Sequence, residues 1–274
     1  MAQSTATEKG SSARPRALVT GASSGIGAAF ARRLACDGYD LTIVARTRAR
    51  LEELATRLRS EGATVDVLAA DLSAPAGLAT VVAAVSAAPL DLLVNNAGFG
   101  TVGPFAELDP AREEEEVRLN VIALMRLTRA ALPAMLARGA GAIVNVSSVG
   151  GFQPGAFNAT YSATKAWVNS FTEAVAEEVR GSGVCLVALC PGFTRTEFQE
   201  RAGIDVSGVP GFLWMSAESV VDAAIAGVRR GDVLCVPGAG NRLATSLSGF
   251  VPRALVRRLS GALGRRFKPE SARS

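Results

Sequence analysis

The sequence alternates short apolar segments with longer segments of helical periodicity, from residue 16 to residue 238. Seven of the apolar segments suit buried strands, namely RALVT, YDLTIVA, TVDVLAA, LDLLVNNAG, GAIVNVSS, GVCLVALCPG and DVLCVPG. Strands that are apolar along their whole length are buried on both faces, and parallel sheets provide that environment. We therefore predict an α/β fold, with a doubly wound parallel sheet of about seven strands in a three-layer αβα arrangement.

The alternation runs without a linker, so it predicts one domain over residues 16–240. Residues 1–15 contain no apolar core of signal-peptide length and are predicted to be a disordered lead-in. Residues 241–274 carry eight Arg or Lys and one acid. Because the whole chain has a net charge of +4, this basic extension follows a mildly acidic body.

The composition excludes several kinds of site. The chain contains no histidine, which rules out a Ser-His-Asp triad and a histidine-ligated metal. The four cysteines form no C-x-x-C pair, so we predict no metal site and expect a reducing compartment, the cytoplasm. The uncharged stretch from Leu72 to Leu90 contains two prolines and many alanines, which predicts a buried helix running into a strand rather than a membrane span.

A long helical region is predicted from Asp109 to about Ala137. Asp109 suits the N-cap of this helix, and Pro110 suits the first helical position. The acidic run from Glu113 to Glu116 is compatible with a helix N-terminus, and we predict that it is a solvated helix start.

Gly21, Gly25 and Gly27 lie between the first predicted strand and its helix, in the segment VTGASSGIGAAF. Glycine allows a sharp backbone turn and the close approach of a ligand. The helix N-terminus that follows offers free N–H groups and a partial positive charge to a phosphate. Because the triplet follows a strand and opens a helix, it predicts a dinucleotide pyrophosphate site, with a tight turn that binds no ligand as the alternative.

Tyr161 and Lys165 are four residues apart in a predicted helix, so their side chains share one face. A free tyrosine has a pKa of about 10 and is a poor acid or base near neutral pH. A cation close by favours the phenolate, and we predict that Lys165 lowers the pKa of Tyr161 enough for proton transfer. The alternative is structural, with the lysine stem lying over the tyrosine ring.

Six segments resemble, in the same order, motifs of the short-chain dehydrogenase/reductase family. They are T-G-x-x-x-G-x-G from Thr20 to Gly27, NNAG at Asn95 to Gly98, Asn120 in RLN, Ser148 in NVSS, YSATK at Tyr161 to Lys165, and PGFTRT at Pro191 to Thr196. The resemblance covers roughly residues 15 to 236 and is to the single-domain branch of the family. It implies a Rossmann-type fold and a nicotinamide-dependent oxidoreductase.

The resemblance also implies roles for four residues, since enzymes of this family pass a hydride between a nicotinamide and a carbonyl carbon. Tyr161 would transfer the proton, and Ser148 would orient the substrate oxygen. Lys165 would also hold the nicotinamide ribose, and Asn120 would fix a water that links Lys165 to a proton path. The alternative is a sensor or scaffold that binds the cofactor without catalysis, although such a protein would be expected to lack the tyrosine or the lysine.

The end of the second predicted strand favours NADP(H) as the cofactor. Family members that use NAD tend to carry Asp at the position of Ala45, where a carboxylate binds the adenine ribose. Arg46 follows here, and its guanidinium suits a 2′-phosphate, whereas the alternative is an arginine that only solvates a helix start. The cofactor contacts implied by the resemblance are Gly21, Ser23, Ser24, Gly25, Ile26, Gly27, Arg46, Asp71, Leu72, Asn95, Ala97, Gly98, Tyr161, Lys165, Pro191, Gly192, Thr194 and Thr196.

The segment from about Thr194 to Ser216 corresponds to the substrate lid of this family. Its apolar members are Phe198, Ile204, Val206, Val209, Pro210, Phe212, Leu213, Trp214 and Met215, and other loops add Phe99, Phe152 and Phe157. Such a rim suits a small apolar carbonyl or alcohol, for example a 3-oxoacyl chain, a steroid-like ring or an aromatic ketone. The alternative is that these residues pack the lid against the body.

The tail GFVPRALVRRLSGALGRRF places apolar residues on one helical stripe and most arginines elsewhere. We expect it to pack on its own body or on a second subunit, to make weak contact with an anionic membrane, or to be a solvated end. Nucleic acid is not an expected partner, because no aromatic residues interleave with the basic ones. The family often pairs its long helices, which implies a homodimer or homotetramer.

Overall fold

The computed structural model describes residues 14–203, 208–248 and 253–264. The strands are β1 (Arg16–Thr20), β2 (Asp40–Ala45), β3 (Val65–Ala69), β4 (Leu92–Asn95), β5 (Gly141–Val146), β6 (Val184–Leu189) and β7 (Leu234–Cys235). The helices are α1 (Gly25–Cys36), α2 (Arg48–Ser60), α3 (Pro75–Ala87), α4 (Pro110–Val117), α5 (Leu124–Arg138), α6 (Ala159–Glu178), α7 (Phe198–Arg201), α8 (Ala217–Arg230), α9 (Ala239–Ser248) and α10 (Arg253–Gly264).

The strands form one parallel sheet in the order β3-β2-β1-β4-β5-β6-β7. The sequence of crossovers changes direction between β1 and β4, which pair in register at Ala17 with Leu92 and Val19 with Val94. In a doubly wound sheet, a crevice opens beyond the carboxyl ends of the strands at such a switch point. The predicted seven-stranded, doubly wound Rossmann-type sheet is confirmed.

Helices cover both faces of the sheet. One buried apolar cluster joins α1, α2 and α8 to the sheet and includes Phe30, Leu51 and Val220. The other joins α3, α5 and the end of α6, and includes Val81 and Met135. The buried strands therefore lie between two helical layers, as their unbroken apolar sequences predicted.

The uncharged stretch from Leu72 to Leu90 contains α3, which is followed by β4. Leu78, Val81 and Val85 of this helix are buried. The predicted helix running into a strand is observed, but only one face of the helix is buried and its other face is exposed.

The long helical region from Pro110 to Arg138 is continuous but not regular. Between α4 and α5, Arg118–Ala123 forms a π-helical segment. The helical periodicity of the sequence did not predict this irregularity. This 29-residue region is long and apolar enough to cross a membrane, a property that core helices of soluble proteins share. Its inner face, including Leu127, Ala131 and Met135, is buried against the sheet.

The basic C-terminal extension contains α9 and α10. The backbone N–H of Ala156 donates a hydrogen bond to the hydroxyl of Ser260 at 2.8 Å, which brings α10 against the loop that precedes α6. This contact supports the alternative in which the extension packs on its own body. Residues 1–13 of the predicted lead-in lie outside the described residues, as do residues 249–252 and 265–274 of the extension.

Gly27 controls how closely α1 approaches β1. A Cβ atom added at Gly27 would overlap the carbonyl oxygen of Gly21 and the side-chain amide of Asn96. We expect Gly27→Ala to lower the free energy of unfolding by about 1–3 kcal/mol because of this overpacking, measured by urea unfolding.

Gly240 in α9 provides a matched control. Apart from its two chain neighbours and the backbone of its own helix, no atom of the described residues lies within 4 Å of a Cβ added there. Gly240→Ala should stabilise the protein by about 0.4–1 kcal/mol, because it reduces the conformational freedom of the unfolded chain. Equal effects of the two substitutions would contradict the assignment of Gly27 to close packing.

Candidate active site

The glycine segment turns the chain from β1 into α1. Gly21 and Gly25 have φ values of +66° and +54°, in the left-handed region that other residues rarely adopt. Ser24 is the N-cap of α1 and makes no side-chain capping hydrogen bond, and the first turn of the helix contains no acid. The N–H groups and partial positive charge of this helix end are therefore available to an anion, as a dinucleotide site requires.

Thr20 and Asn96 join this turn to the end of β4. The hydroxyl of Thr20 accepts hydrogen bonds from the backbone N–H groups of Asn96 at 2.9 Å and Ala97 at 3.0 Å. In return, the side-chain amide of Asn96 donates to the backbone oxygen of Thr20 at 2.9 Å. These reciprocal bonds hold together the two loops on either side of the switch point.

A cavity of about 960 Å³ lies at this edge of the sheet, above the carboxyl ends of the strands. Most of the predicted cofactor and catalytic residues line it. They are Gly21, Ser23, Ser24, Gly25, Ile26, Arg46, Asp71, Leu72, Ala97, Gly98, Ser148, Tyr161, Lys165, Pro191, Gly192, Thr194 and Thr196. Asn96 also lines the cavity, although it is not among the predicted site residues.

Asn95, Gly27 and Asn120 are not among the lining residues found in the described chain. The side chain of Asn95 is buried and is not available to a cofactor, so the predicted contact of Asn95 stays a prediction for its backbone alone. Its side chain points into the protein and donates hydrogen bonds to Thr128 at 3.1 Å and Asn145 at 2.9 Å. Successive side chains of a strand face opposite sides, so the adjacent residue is the one that turns toward the cavity loops. Gly27 packs against the backbone of Gly21, behind the glycine turn.

Asn120 lies in the π-helical segment, below the cavity. Its side-chain oxygen accepts from the N–H of Phe99 at 3.2 Å, and its amide donates to the carbonyl of Phe99 at 2.8 Å and the hydroxyl of Thr164 at 3.2 Å. Thr164 precedes Lys165 on α6, so Asn120 connects the loop after β4 to the helix that carries the predicted catalytic pair. π-Bulges often occur at functional sites because they redirect side chains in this way.

Lys165 is buried and anchored on the sheet. Its ammonium donates a hydrogen bond to the carbonyl of Val146 at 2.8 Å, and its own carbonyl accepts one from Ser147 at 3.0 Å. Burial lowers the pKa of Lys165 to about 8, and the nearby carboxylate of Glu116 partly opposes this shift. Lys165 is therefore mostly protonated at neutral pH.

Tyr161 lies one helical turn from Lys165, whose Nζ is 5.6 Å from the centre of the tyrosine ring. Burial raises the pKa of Tyr161 to about 12, while a hydrogen bond with Ser148 lowers it and the charge of Glu116 raises it further. The predicted lowering by Lys165 is thus wrong for the protein without cofactor. Desolvation of the phenolate outweighs the attraction of a lysine that is held by Val146.

Two members of the acidic run are buried, which overturns the prediction of a solvated helix start. Glu113 and Glu116 are 9% and 0% exposed. Glu113 accepts a hydrogen bond from the hydroxyl of Thr160, and Glu116 accepts two from Thr101. Their spacing of three residues, with Asn120 four residues beyond, was the signal in the sequence for a shared inner face.

Arg46 and Arg50 line the other end of the cavity, after β2. Arg46 pairs with Glu115 at 3.4 Å, and Arg50 pairs with Glu197 at 2.8 Å. Burial acts to raise the pKa of Asp71, but hydrogen bonds from Ser73 and the charge of Arg46 bring it below its ordinary value. This end of the cavity therefore presents two guanidinium groups that suit a phosphate.

Only part of the predicted apolar lid faces the cavity. Phe198 lies over Tyr161, with ring centroids 5.6 Å apart, and Phe99 lines the cavity from the loop after β4. Trp214 instead packs against Phe193, and Phe212 is 86% exposed. Met215 packs against the core, so the predicted alternative of lid packing describes part of the segment. Ile204 and Val206 lie outside the described residues.

The buried carboxyl group of Glu116 predicts a pH dependence of stability. Burial raises its pKa from 4.5 to about 7 despite the hydrogen bonds from Thr101. Because this pKa is raised in the folded state, the protonated carboxyl group of Glu116 stabilises the fold. Its contribution is complete below pH 4.5 and is lost as the pH rises through about 7. Between pH 5 and pH 7.5, the free energy of unfolding should fall by up to about 3 kcal/mol less in Glu116→Gln than in the wild type, measured by urea unfolding.

Glu114→Gln is the control for this experiment. Glu114 is exposed and pairs with Arg118 on the helix surface, so its substitution should leave the pH dependence unchanged. If the wild type and Glu116→Gln lost the same stability over this range, the titration of Glu116 would not be its cause.

Comparisons with known proteins show the family to which this chain belongs. Residues 15–206 match the short chain dehydrogenase family. The ketoacyl reductase HetN of a Nostoc species is 35% identical over 198 residues, which are 68% of this chain and 69% of HetN. A short-chain dehydrogenase from Sphingobium yanoikuyae, solved in complex with NADPH, is 40% identical with a TM-score of 0.79 over 86% of this chain and 94% of that one. A bulky-bulky ketone specific alcohol dehydrogenase from Comamonas testosteroni is 35% identical with a TM-score of 0.74 over 88% and 96%. The chain belongs to the short-chain dehydrogenase family, as its six motifs predicted.

Proposed function

We propose that the protein is an NADP(H)-dependent oxidoreductase that interconverts an apolar ketone or aldehyde and the corresponding alcohol. One observation carries the proposal: Ser148, Tyr161 and Lys165 line the same cavity as the glycine turn. The proposed proton-transferring group and the proposed phosphate site therefore face the same cavity. The names of the relatives support this class of reaction, since they include a ketoacyl reductase and an alcohol dehydrogenase for bulky ketones.

The cavity walls suit a nicotinamide dinucleotide, which supplies or accepts the hydride when it is bound. The N-terminus of α1 would hold the pyrophosphate, and Arg46 with Arg50 would hold a 2′-phosphate. A Cβ atom at Gly98 would lie 2.8 Å from the side-chain oxygen of Asn120, so the bare backbone of Gly98 leaves room for the Asn120 side chain below the cavity. The volume of about 960 Å³ is at the upper end for small-molecule sites and is compatible with two ligands.

Tyr161 is suited to donate a proton in the reducing direction. Because burial raises the pKa of the phenol to about 12, the hydroxyl carries its proton throughout the neutral range. An alkoxide that forms at the substrate carbonyl is a stronger base and would take that proton. The charged ammonium of Lys165, 5.6 Å from the ring centre, would then stabilise the phenolate left behind. Ser148 would hydrogen-bond the same substrate oxygen and orient it.

An apolar substrate is favoured by the side chains beyond the catalytic groups. Phe99, Leu119, Val149, Phe193 and Phe198 all line the cavity. Phe198 covers Tyr161 and would exclude water from the reacting oxygen. A 3-oxoacyl chain or a bulky cyclic ketone has enough apolar surface to replace water along this wall.

Replacing the tyrosine tests the proton transfer. Tyr161→Phe keeps the ring and removes the proton, so kcat for ketone reduction should fall by about 100-fold or more, measured by NADPH absorbance with a panel of ketones of increasing chain length. NADPH binding should change by only a few-fold. The chain has one other tyrosine, Tyr39, and Tyr39→Phe is the matched control that should retain the parent rate. Reduction by Tyr161→Phe at the parent rate would refute the assignment.

Replacing the first arginine after β2 tests the cofactor. Arg46→Ala should raise the KM for NADPH about tenfold or more and leave the KM for NADH unchanged, because it removes a charged partner of the 2′-phosphate. Arg48→Ala is the matched control, since Arg48 is exposed and pairs with Glu52 on α2. Equal kcat/KM values with NADH and NADPH in the wild type would contradict the proposed cofactor.

A further inference from the structure

Glu116 and Asn120 hold the two ends of one short loop. The carboxylate of Glu116 accepts hydrogen bonds from the backbone N–H and the hydroxyl of Thr101, both at 3.0 Å. Asn120 bonds both backbone polar groups of Phe99. The two side chains are one helical turn apart, so the tripeptide Phe99–Thr101 is fastened at both ends to the same helical face.

This tripeptide packs on the ring of Tyr161. A Cβ atom added at Gly100 would lie 2.7 Å from Cδ2 of Tyr161 and 3.1 Å from Cγ. The backbone at Gly100 is therefore in contact with the ring, on the side facing the loop. A displacement of Thr101 from Glu116 would be transmitted to the ring through a single residue.

Glu116 also places a carboxyl group behind the catalytic pair. It is fully buried, and within the described residues its second oxygen has no hydrogen-bond partner. The titratable groups that act on it or respond to it are Glu113 on its own helix and Tyr161 and Lys165 on α6. The other two acids of the run lie toward the surface, where Glu114 pairs with Arg118 and Glu115 with Arg112.

We propose that Glu116 is a positioning residue for Tyr161: it holds Phe99–Thr101 against the tyrosine ring and places a carboxylate behind Tyr161 and Lys165. The negative charge of this carboxylate favours retention of the protons on both side chains. The charge effect follows from Coulomb's law in a poorly solvated site, where a carboxylate opposes formation of a second anion and stabilises a cation. The consequence for catalysis rests on the proposed function, whereas the contact and the titration do not.

The titration is tested without activity, in the protein free of cofactor. The chain has two tyrosines, so 13C-tyrosine NMR shows two Cζ resonances, which Tyr161→Phe assigns. In Glu116→Gln the amide oxygen still accepts from Thr101 but the charge is gone, and Tyr161 should titrate about one pH unit lower than in the wild type. Tyr39 should be unchanged. Glu113→Gln, which neutralises the other buried carboxyl of α4, should leave Tyr161 unchanged. An unshifted Tyr161 in Glu116→Gln would overturn the proposal.

The contact is tested by the pH profile of kcat for ketone reduction and alcohol oxidation. Removing the charge lowers the pKa of both Tyr161 and Lys165, so both limbs of the profile in Glu116→Gln should move to lower pH. Glu116→Leu also loses the hydrogen bonds to Thr101, and kcat should fall about tenfold with little change in the KM for NADPH. If Glu116→Gln has a higher kcat than Glu116→Leu but its pH profile is still displaced, the hydrogen bonds to Thr101 account for kcat and the charge accounts for the profile.

The possible outcomes distinguish the two levels of inference. If the wild type reduces no ketone with NADPH, the proposed function fails, and the NMR titration still decides the role of Glu116. If the wild type is active and the Gln and Leu variants keep both its profile and its kcat, the role of Glu116 fails and the proposed function stands.

Discussion

The parallel pairing of β1 with β4 is the constraint on which the site depends. In a parallel sheet all carboxyl ends lie at one edge, so the turns after β1, β2, β4, β5 and β6 reach the same side of the molecule. The chain leaves β1 and β4 in opposite directions, which opens the crevice between them. The glycine turn, Ser148 and Pro191 are far apart in sequence and line one cavity for this reason.

A chain of buried polar side chains supports the floor of that cavity. Asn95 donates to Asn145, its partner in the β4–β5 register, and Asn145 donates to Thr172 of α6 at 3.0 Å. Lys165, two turns before Thr172, bonds the carbonyl at the end of β5. Buried hydrogen bonds of this kind specify one arrangement, since a displaced member would lose its partner in a poorly solvated interior. The helix that carries Tyr161 and Lys165 is thereby fixed against the sheet in the absence of any ligand.

Burial also decides the electrostatics of the site. It raises the pKa of Tyr161, lowers that of Lys165 and raises that of Glu116, in each case against the charged form. Charge interactions among the three groups modify these shifts but do not reverse them. The tyrosine is therefore held as an acid and the lysine keeps most of its charge at neutral pH, a combination that favours proton donation to a carbonyl under reduction.

The sequence by itself determined the three-layer arrangement, the succession of strands along the chain and most of the residues that line the cavity. Apolar periodicity and glycine conformations act through neighbours along the chain, so strands such as Arg16–Thr20 and the turn from Gly21 to Gly25 were predictable. Only the tertiary structure decided that Glu113 and Glu116 are buried, that Asn95 faces the core, that Asn120 lies in a π-helical segment and that Phe198 covers Tyr161. These features depend on contacts between distant segments and on the loss of water around charged groups, whereas a local pattern such as the spacing of Glu113 and Glu116 indicates only a shared helical face.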